Sequence, residues 1–265
     1  MATDLHEQVE ASSRNVAEFY DGLARSYDAM TGFEKRFGQE EAAFRQLVEQ
    51  YSIRTALDAG CGTGFHSLLL SRLGVRITGV DVSSEMLEQA KNHARTLGLN
   101  AQFVRSTFEN LGENVSGRFG GVFCLGNSLP HVLSREELLR TLAGFHRLLN
   151  PRGVLIIQTL NYDRIMTRRE RVQSVKEEGG TIFVRFYDFE DELLRFNILR
   201  LKRTHSGFIP ELDSIALRPI VRGELGNLLA EAGFVEVNVH GSIALDEFDP
   251  QASKDLVVVA THGAD

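Results

Sequence analysis

Ala56-Leu57-Asp58-Ala59-Gly60-Cys61-Gly62-Thr63-Gly64 reads as a buried strand end broken by three glycines. Thr55, Ala56 and Leu57 carry the apolar run. Phe65, Leu68, Leu69 and Leu73 follow at helical spacing, so a helix begins as the glycines end. A strand, a glycine bend and a helix N-terminus turn backbone N–H groups outward. Glycine there lets a ligand reach the main chain with no Cβ in the way. Seventeen residues beyond Gly64, a second apolar strand (Val75, Ile77, Val80) ends in Asp81. A carboxylate at the tip of the next strand can accept both hydroxyls of a ribose. The pair of features predicts a site for a nucleoside-bearing small molecule.

The spacing narrows the choice of nucleoside. A dinucleotide loop places its glycines as G-x-G-x-x-G. Here they fall as Gly60-x-Gly62-x-Gly64, and Phe65 stands where the third dinucleotide glycine belongs. With Asp58 before the loop and Asp81 after it, the pattern resembles the first two motifs of class I S-adenosylmethionine-dependent methyltransferases. The resemblance implies S-adenosyl-L-methionine as cofactor. It implies contacts from Asp58, Gly60, Cys61, Gly62, Gly64, Asp81, Val82, Met86, Thr107, Phe108 and Leu125. Two other readings stay open. One is a nicotinamide-dependent oxidoreductase; the other is a non-catalytic S-adenosylmethionine-binding protein.

Composition excludes several classes. The 265 residues suit one domain with an insertion, and the net charge of −7 argues against a phosphate-backbone binder. Two cysteines, Cys61 and Cys124, sit near strand ends with no metal-ligand spacing around them, so no metal is expected. The N-terminus (Asp4, His6, Glu7, Glu10) is polar and acidic, unlike a secretory signal. No apolar run approaches the ~20 residues that cross a bilayer. A cytoplasmic protein acting on a small molecule, with no nucleic-acid or membrane partner, is expected; a homodimer is allowed for.

Residues 1–50 are expected to form a helical lid. Val16, Phe19, Tyr20 and Leu23 share a face that Tyr27 and Met30 continue, and Gly32 interrupts it. Tyr20 and Tyr27 read equally as cofactor contacts and as packing residues. Residues 51–161 alternate strand and helix, which predicts a parallel sheet covered on both faces. Ser83 and Gly98 bracket one helix, and Ser134 with Glu137 form a capping box for another. Residues 162–220 change pattern. A basic run (Arg164, Arg168, Arg169, Arg171) reads as a solvated helix or loop. Strands are then expected at 181–189, 193–203 and 212–220, a β-meander covering the site. Residues 221–265 return to the core with a helix and two final strands. By resemblance the whole is α/β: a Rossmann-like, seven-stranded, mostly parallel sheet with a lid and an inserted antiparallel meander.

Two further stretches sharpen the likeness. Cys124-Leu125-Gly126-Asn127-Ser128-Leu129-Pro130-His131 and Ile157-Gln158-Thr159-Leu160-Asn161-Tyr162-Asp163 are similar to segments of glycine/sarcosine N-methyltransferases. That likeness implies an amine acceptor. It puts Asn127 and His131 at the reaction centre, either as catalytic groups or as loop supports. Asn161, Tyr162 and Arg195 join them as acceptor-binding candidates. One departure stands out: the family's carboxylate-gripping arginine before Asn-Tyr-Asp is Leu160 here. Leucine has no guanidinium fork, so Arg195 or Arg185 of the meander would have to supply it. The usual acid near Thr107, which holds the adenine amino group, is also missing.

Overall fold

Strand β1 (Thr55–Ala59) lies inside a seven-stranded sheet. On one side come β2 (Arg76–Asp81) and β3 (Gln102–Arg105). On the other come β4 (Phe119–Cys124), β5 (Leu149–Leu160), β11 (Asp255–His262) and β10 (Phe234–His240). All neighbours pair parallel except β11, which inserts antiparallel between β5 and β10. This computed structural model describes the backbone of residues 2–264 and the side chains of residues 15–264. Met1, Asp265 and the side chains of Asp4, His6, Glu7 and Glu10 lie outside the described residues.

The strands are apolar without alternation because both faces are covered. Leu155 and Ile157 pack with Leu138, Leu142 and Phe145 of α6 (Arg135–Arg147) and with Leu225, Leu228 and Leu229 of α8 (Arg222–Glu231). Val154 and Ile156 face Phe44 and Val48 of α2 (Phe33–Gln50) and Phe65, Leu68 and Leu69 of α3 (Phe65–Arg72). The expected caps are present. Ser83 Oγ accepts from the Met86 N–H at the start of α4 (Ser84–Leu97), and Gly98 ends it in the left-handed region. Ser134 and Glu137 complete the capping box of α6.

The chain runs from β1 to β2 and β3 on one side, then crosses to β4 on the other. Such a reversal opens a crevice beyond the carboxyl ends of β1 and β4. The long helix α1 (Ala2–Thr31) lies over it. Phe19, Leu23 and Met30 bury against Met86 and against Phe183, Ile198 and Ile215 of the insertion. Polar ties fix the same helix. Asp21 accepts from Ser83 Oγ and the Glu85 N–H. Asp28 accepts from Thr63 Oγ1 at 2.7 Å and pairs with His93 at 3.1 Å. Lys176 Nζ donates to the Ala29 carbonyl at 2.6 Å.

The insertion departs from the sequence reading. It is a separate antiparallel sheet of four strands, not three: β6 (Val172–Glu178), β7 (Thr181–Phe189), β8 (Leu194–Thr204) and β9 (Gly207–Leu217). Strand β6 carries no burial pattern in the sequence because its apolar residues, Val172 and Val175, are exposed and widely spaced. Strand β9 starts earlier than expected, on a ribbon where Phe208 and Ile209 remain exposed. The basic run falls as one of its expected forms, a helix: Arg164 and Arg168 lie in α7 (Tyr162–Arg168), and Arg169 and Arg171 follow it. Strand β5 runs unbroken over twelve residues. It absorbs the Asn150–Gly153 turn as an irregularity, with Arg152 at φ 62°.

Gly64 shows how tightly the glycine bend is packed. It has φ +84°, and a Cβ there would stand 2.8 Å from the Ala90 Cβ. Gly64→Ala is expected to destabilise the protein by about 2–4 kcal/mol, combining left-handed strain with overpacking. Urea denaturation would measure it.

Candidate functional site

A cleft of about 930 Å³, counting its open mouth, lies where the strand order reverses. Of the residues singled out in the sequence, Tyr20, Tyr27, Gly60, Gly62, Asp81, Val82, Thr107, Phe108 and His131 line it. They come from α1, the glycine bend, the ends of β2 and β3, and the loop after β4.

The bend and Asp81 form one hydrogen-bonded unit. Gly60 and Cys61 donate their N–H groups to the Val80 carbonyl at 2.8 and 2.9 Å. Gly62 N–H donates to Asp81 Oδ2 at 2.8 Å, and Ser83 N–H to Oδ1 at 2.9 Å. The expectation of outward-facing backbone donors is therefore corrected: β2 takes these three. What the glycines provide is room. A Cβ on Gly60 would meet Ser128 at 2.7 Å, and one on Gly62 would meet nothing nearer than the Tyr27 ring at 3.9 Å. Burial raises the Asp81 carboxyl to about 6, against the lowering effect of the Ser83 and Gly62 N–H groups.

Across the cleft, Tyr20 Oη and His131 Nε2 are hydrogen-bonded at 2.8 Å. His131 Nδ1 is buried with no partner. Burial lowers the His131 pKa to about 4 and raises that of Tyr20 well above its ordinary value. Both groups are thus neutral at pH 7. His131 offers hydrogen bonding and is a weak base. Its loop is held from outside, since Arg218 at the end of the insertion donates its N–H to the Pro130 carbonyl at 2.8 Å.

Several sequence candidates do not line the cleft. Asp58 is buried beneath the bend, accepting from Ser67 Oγ at 2.7 Å. Cys61 and Leu125 are buried, Met86 packs under α1, and Gly64 packs on Ala90. Asn127, expected at the reaction centre, sits at φ 68° with its amide turned toward β5. Its Oδ1 accepts from the Leu160 N–H, and its Nδ2 bonds the Tyr162 hydroxyl at 3.0 Å. Asn161 caps α7 and holds the Pro250 and Ser253 carbonyls, fully buried. Tyr162 is fully buried as well. Arg195 faces solvent and pairs with Glu190. The alternation of β8 puts Arg195 opposite Leu194 and Phe196, which point inward.

Other lining residues were not singled out, among them Ser106, Glu109, Glu137 and Thr141. Glu109, two residues beyond Thr107, puts an acid in the cleft lining. Glu137 was read only as a cap. Its spacing gives no hint that the same side chain borders a cleft.

Tyr20→Phe removes one hydroxyl and leaves both imidazole nitrogens of His131 without a protein partner. Turnover is expected to fall about fivefold while cofactor-product affinity stays within about twofold, since a single hydrogen bond is worth roughly 1 kcal/mol. Parallel kinetics and calorimetry would check this.

A family model described as a methyltransferase domain matches residues 56–153. A glycine/sarcosine N-methyltransferase of Aphanothece halophytica is 33% identical over 246 residues, covering 88% of this chain and 86% of its own. One from Halorhodospira halochloris is 29% identical over 235 residues, covering 88% and 85%. Among solved structures, an S-adenosylmethionine-dependent methyltransferase from Clostridium acetobutylicum superposes with a TM-score of 0.76 at 18% identity, covering 92% of this chain and 99% of its own.

Proposed function

The chain belongs to the S-adenosylmethionine-dependent methyltransferases, and we propose that it methylates the nitrogen of a small-molecule amine. When bound, S-adenosylmethionine supplies a methyl group already activated for displacement, so the protein's task is chiefly alignment and exclusion of water.

The cleft suits that cofactor. Asp81 presents a carboxylate beside a bend without side chains, where a sugar and its tail would lie. Val82 and Phe108 offer apolar surface, and Thr107 and Glu109 offer oxygen atoms, where a base would lie. Membership of this family leaves no place for the nicotinamide reading.

The preference for nitrogen rests on the Tyr20–His131 pair. Both groups stay neutral at pH 7, and neither is a strong base. An alcohol must lose its proton as it attacks, which calls for a positioned base. An amine needs only its neutral form, oriented by hydrogen bonds. The relatives named above, described as N-methyltransferases, support the same choice.

The test is a methylation screen of pooled amines, alcohols and thiols with mass detection. N-methylated products are expected. A screen returning only O- or S-methylated products would refute the proposal, and cofactor binding with no turnover on any pool would favour a binding protein.

A further inference from the structure

His93 of α4 is partly buried, and both of its ring nitrogens face oxygen atoms that only accept. Nδ1 stands 3.0 Å from the Thr63 carbonyl, in the glycine bend. Nε2 stands 3.1 Å from Asp28 Oδ2, on α1. Neither a carbonyl nor a carboxylate has a proton to give. A neutral imidazole carries one N–H, so it would satisfy one of these oxygens and turn a lone pair toward the other. The imidazolium donates to both. The Phe33 ring lies against the imidazole, 4.1 Å between centroids and tilted by 31°, and an aromatic face attracts a cation.

This histidine joins three elements. Asp28 Oδ1 accepts from Thr63 Oγ1 at 2.7 Å, so the lid helix α1, the bend and α4 meet at one carboxylate. Tyr27, the residue before Asp28, lines the cleft with Gly62. The charged groups that face His93 are Asp28 of α1 and Glu34 of α2, and the bend presents the Thr63 carbonyl. The hydrogen bond to Asp28, with help from Thr63 and Glu34, holds the His93 pKa above its ordinary value, against the lowering effect of burial. Other ties on α1 are indifferent to pH near neutrality. Asp21 is held by a hydroxyl and a backbone N–H, and Tyr20 by a His131 that burial keeps neutral. Of these ties, the one through His93 changes charge close to neutral pH.

We propose that His93 is a positioning residue for methyl transfer: as an imidazolium it latches the lid helix to the glycine bend, and loss of its proton frees the lid to release the spent cofactor. A ligand in the cleft lies under α1, so the hold on α1 sets how long that ligand stays. The latch is fully made below the ordinary histidine value of about 6.5 and is lost as pH rises through the higher folded value. Release therefore quickens on the alkaline side of neutrality. This rests on the family's cofactor occupying the cleft and not on the choice of nitrogen as acceptor.

An NMR titration of the imidazole C–H resonances, with His93 assigned by its loss in His93→Phe, would read the proton directly in the ligand-free protein. The His93 midpoint should lie above about 6.5 and fall toward that value in Asp28→Asn. Stopped-flow displacement would read S-adenosylhomocysteine release at about pH 7 and about pH 9, either side of the expected midpoint. In the unmodified protein release should be about fivefold faster at the higher pH, the effect of one charge-assisted hydrogen bond at a partly exposed site. His93→Phe keeps a ring against Phe33, and His93→Gln keeps a neutral donor; both should lose that acceleration. Asp81 and the ligand's own amino group titrate alike in all these proteins, so the difference between slopes isolates His93.

A His93 midpoint at or below about 6.5 in the unmodified protein would overturn the latch. So would equal pH slopes of release in the unmodified protein and the two variants. A histidine that merely packs would lower the melting temperature when replaced and leave those slopes equal. The NMR titration needs neither cofactor nor acceptor, so failure of the latch is told apart from failure of the methylation screen.

Discussion

Asp81→Ala should weaken S-adenosylhomocysteine binding by a hundredfold or more while the protein still folds. An ionised acceptor facing two hydroxyls contributes about 1.5–3 kcal/mol per hydrogen bond, and a hundredfold is about 2.7 kcal/mol. The fold should tolerate the change because this carboxylate is costly where it sits. Burial raises it to about 6, so ionising it in the native state is uphill relative to the unfolded chain. The sign follows for pH. A carboxyl raised above its unfolded value detracts from stability once pH exceeds its folded value. That cost shrinks as pH falls through about 6 and is gone below the unfolded value. Ligand affinity should run the other way, because only the carboxylate accepts from both hydroxyls. Between pH 7 and 5 the unmodified protein should lose S-adenosylhomocysteine affinity. Asp81→Asn should show a weaker but flatter profile, losing the charge and keeping one acceptor. Calorimetry at several pH values reads both; equal pH slopes in the two proteins would remove Asp81 from the site.

The parts of the site that were legible in the sequence are those with a local backbone cause. The glycine bend needs its own residues at positive φ, at Gly60, Gly62 and Gly64. Asp81 follows from the end of the next strand. The sheet followed from apolar runs covered on both faces. What misled was the equation of motif with contact. Asn127, Asn161 and Tyr162 stand in stretches similar to those of the relatives, yet their polar atoms are consumed holding β5, α7 and one another. No pattern along the chain tells a hydrogen bond to ligand from one to a carbonyl 89 residues away. Arg185 and Arg195 pose the same difficulty in another form. They lie on opposite faces of adjacent antiparallel strands, and pairing register decides which is inside. Arg185 stands opposite Ile198 and Arg195 opposite Asp188. That register depends on contacts among elements far apart in sequence. Strand β6 was missed because an edge strand with exposed valines carries little burial signal.

Asn161→Ala gives the sharpest separation between a binding role and a structural one. Asn161 Nδ2 donates to the Pro250 and Ser253 carbonyls at 3.1 and 3.0 Å, and Oδ1 accepts from the Arg164 N–H at 3.2 Å. The side chain is fully buried. Alanine removes a helix cap and leaves buried backbone groups unpaired; the cap alone is worth about 1 kcal/mol, and each unpaired group costs about 1–3 kcal/mol. A total loss of about 3–5 kcal/mol is expected, a fall in melting temperature of roughly 10 °C. S-adenosylhomocysteine affinity, measured well below that temperature, should hold within about twofold, a range under half a kcal/mol. An acceptor contact would give the reverse: an unchanged melting point and weakened binding. Asn161→Asp refines the distinction. Its carboxylate can still accept from the Arg164 N–H but would face two carbonyl oxygens with no proton to donate. Repulsion and burial both raise its pKa. Asn161→Asp should therefore be as unstable as Asn161→Ala at neutral pH and recover as pH falls, when the protonated acid can donate to one carbonyl. A residue held in place for the acceptor's sake would show no such recovery in the absence of acceptor.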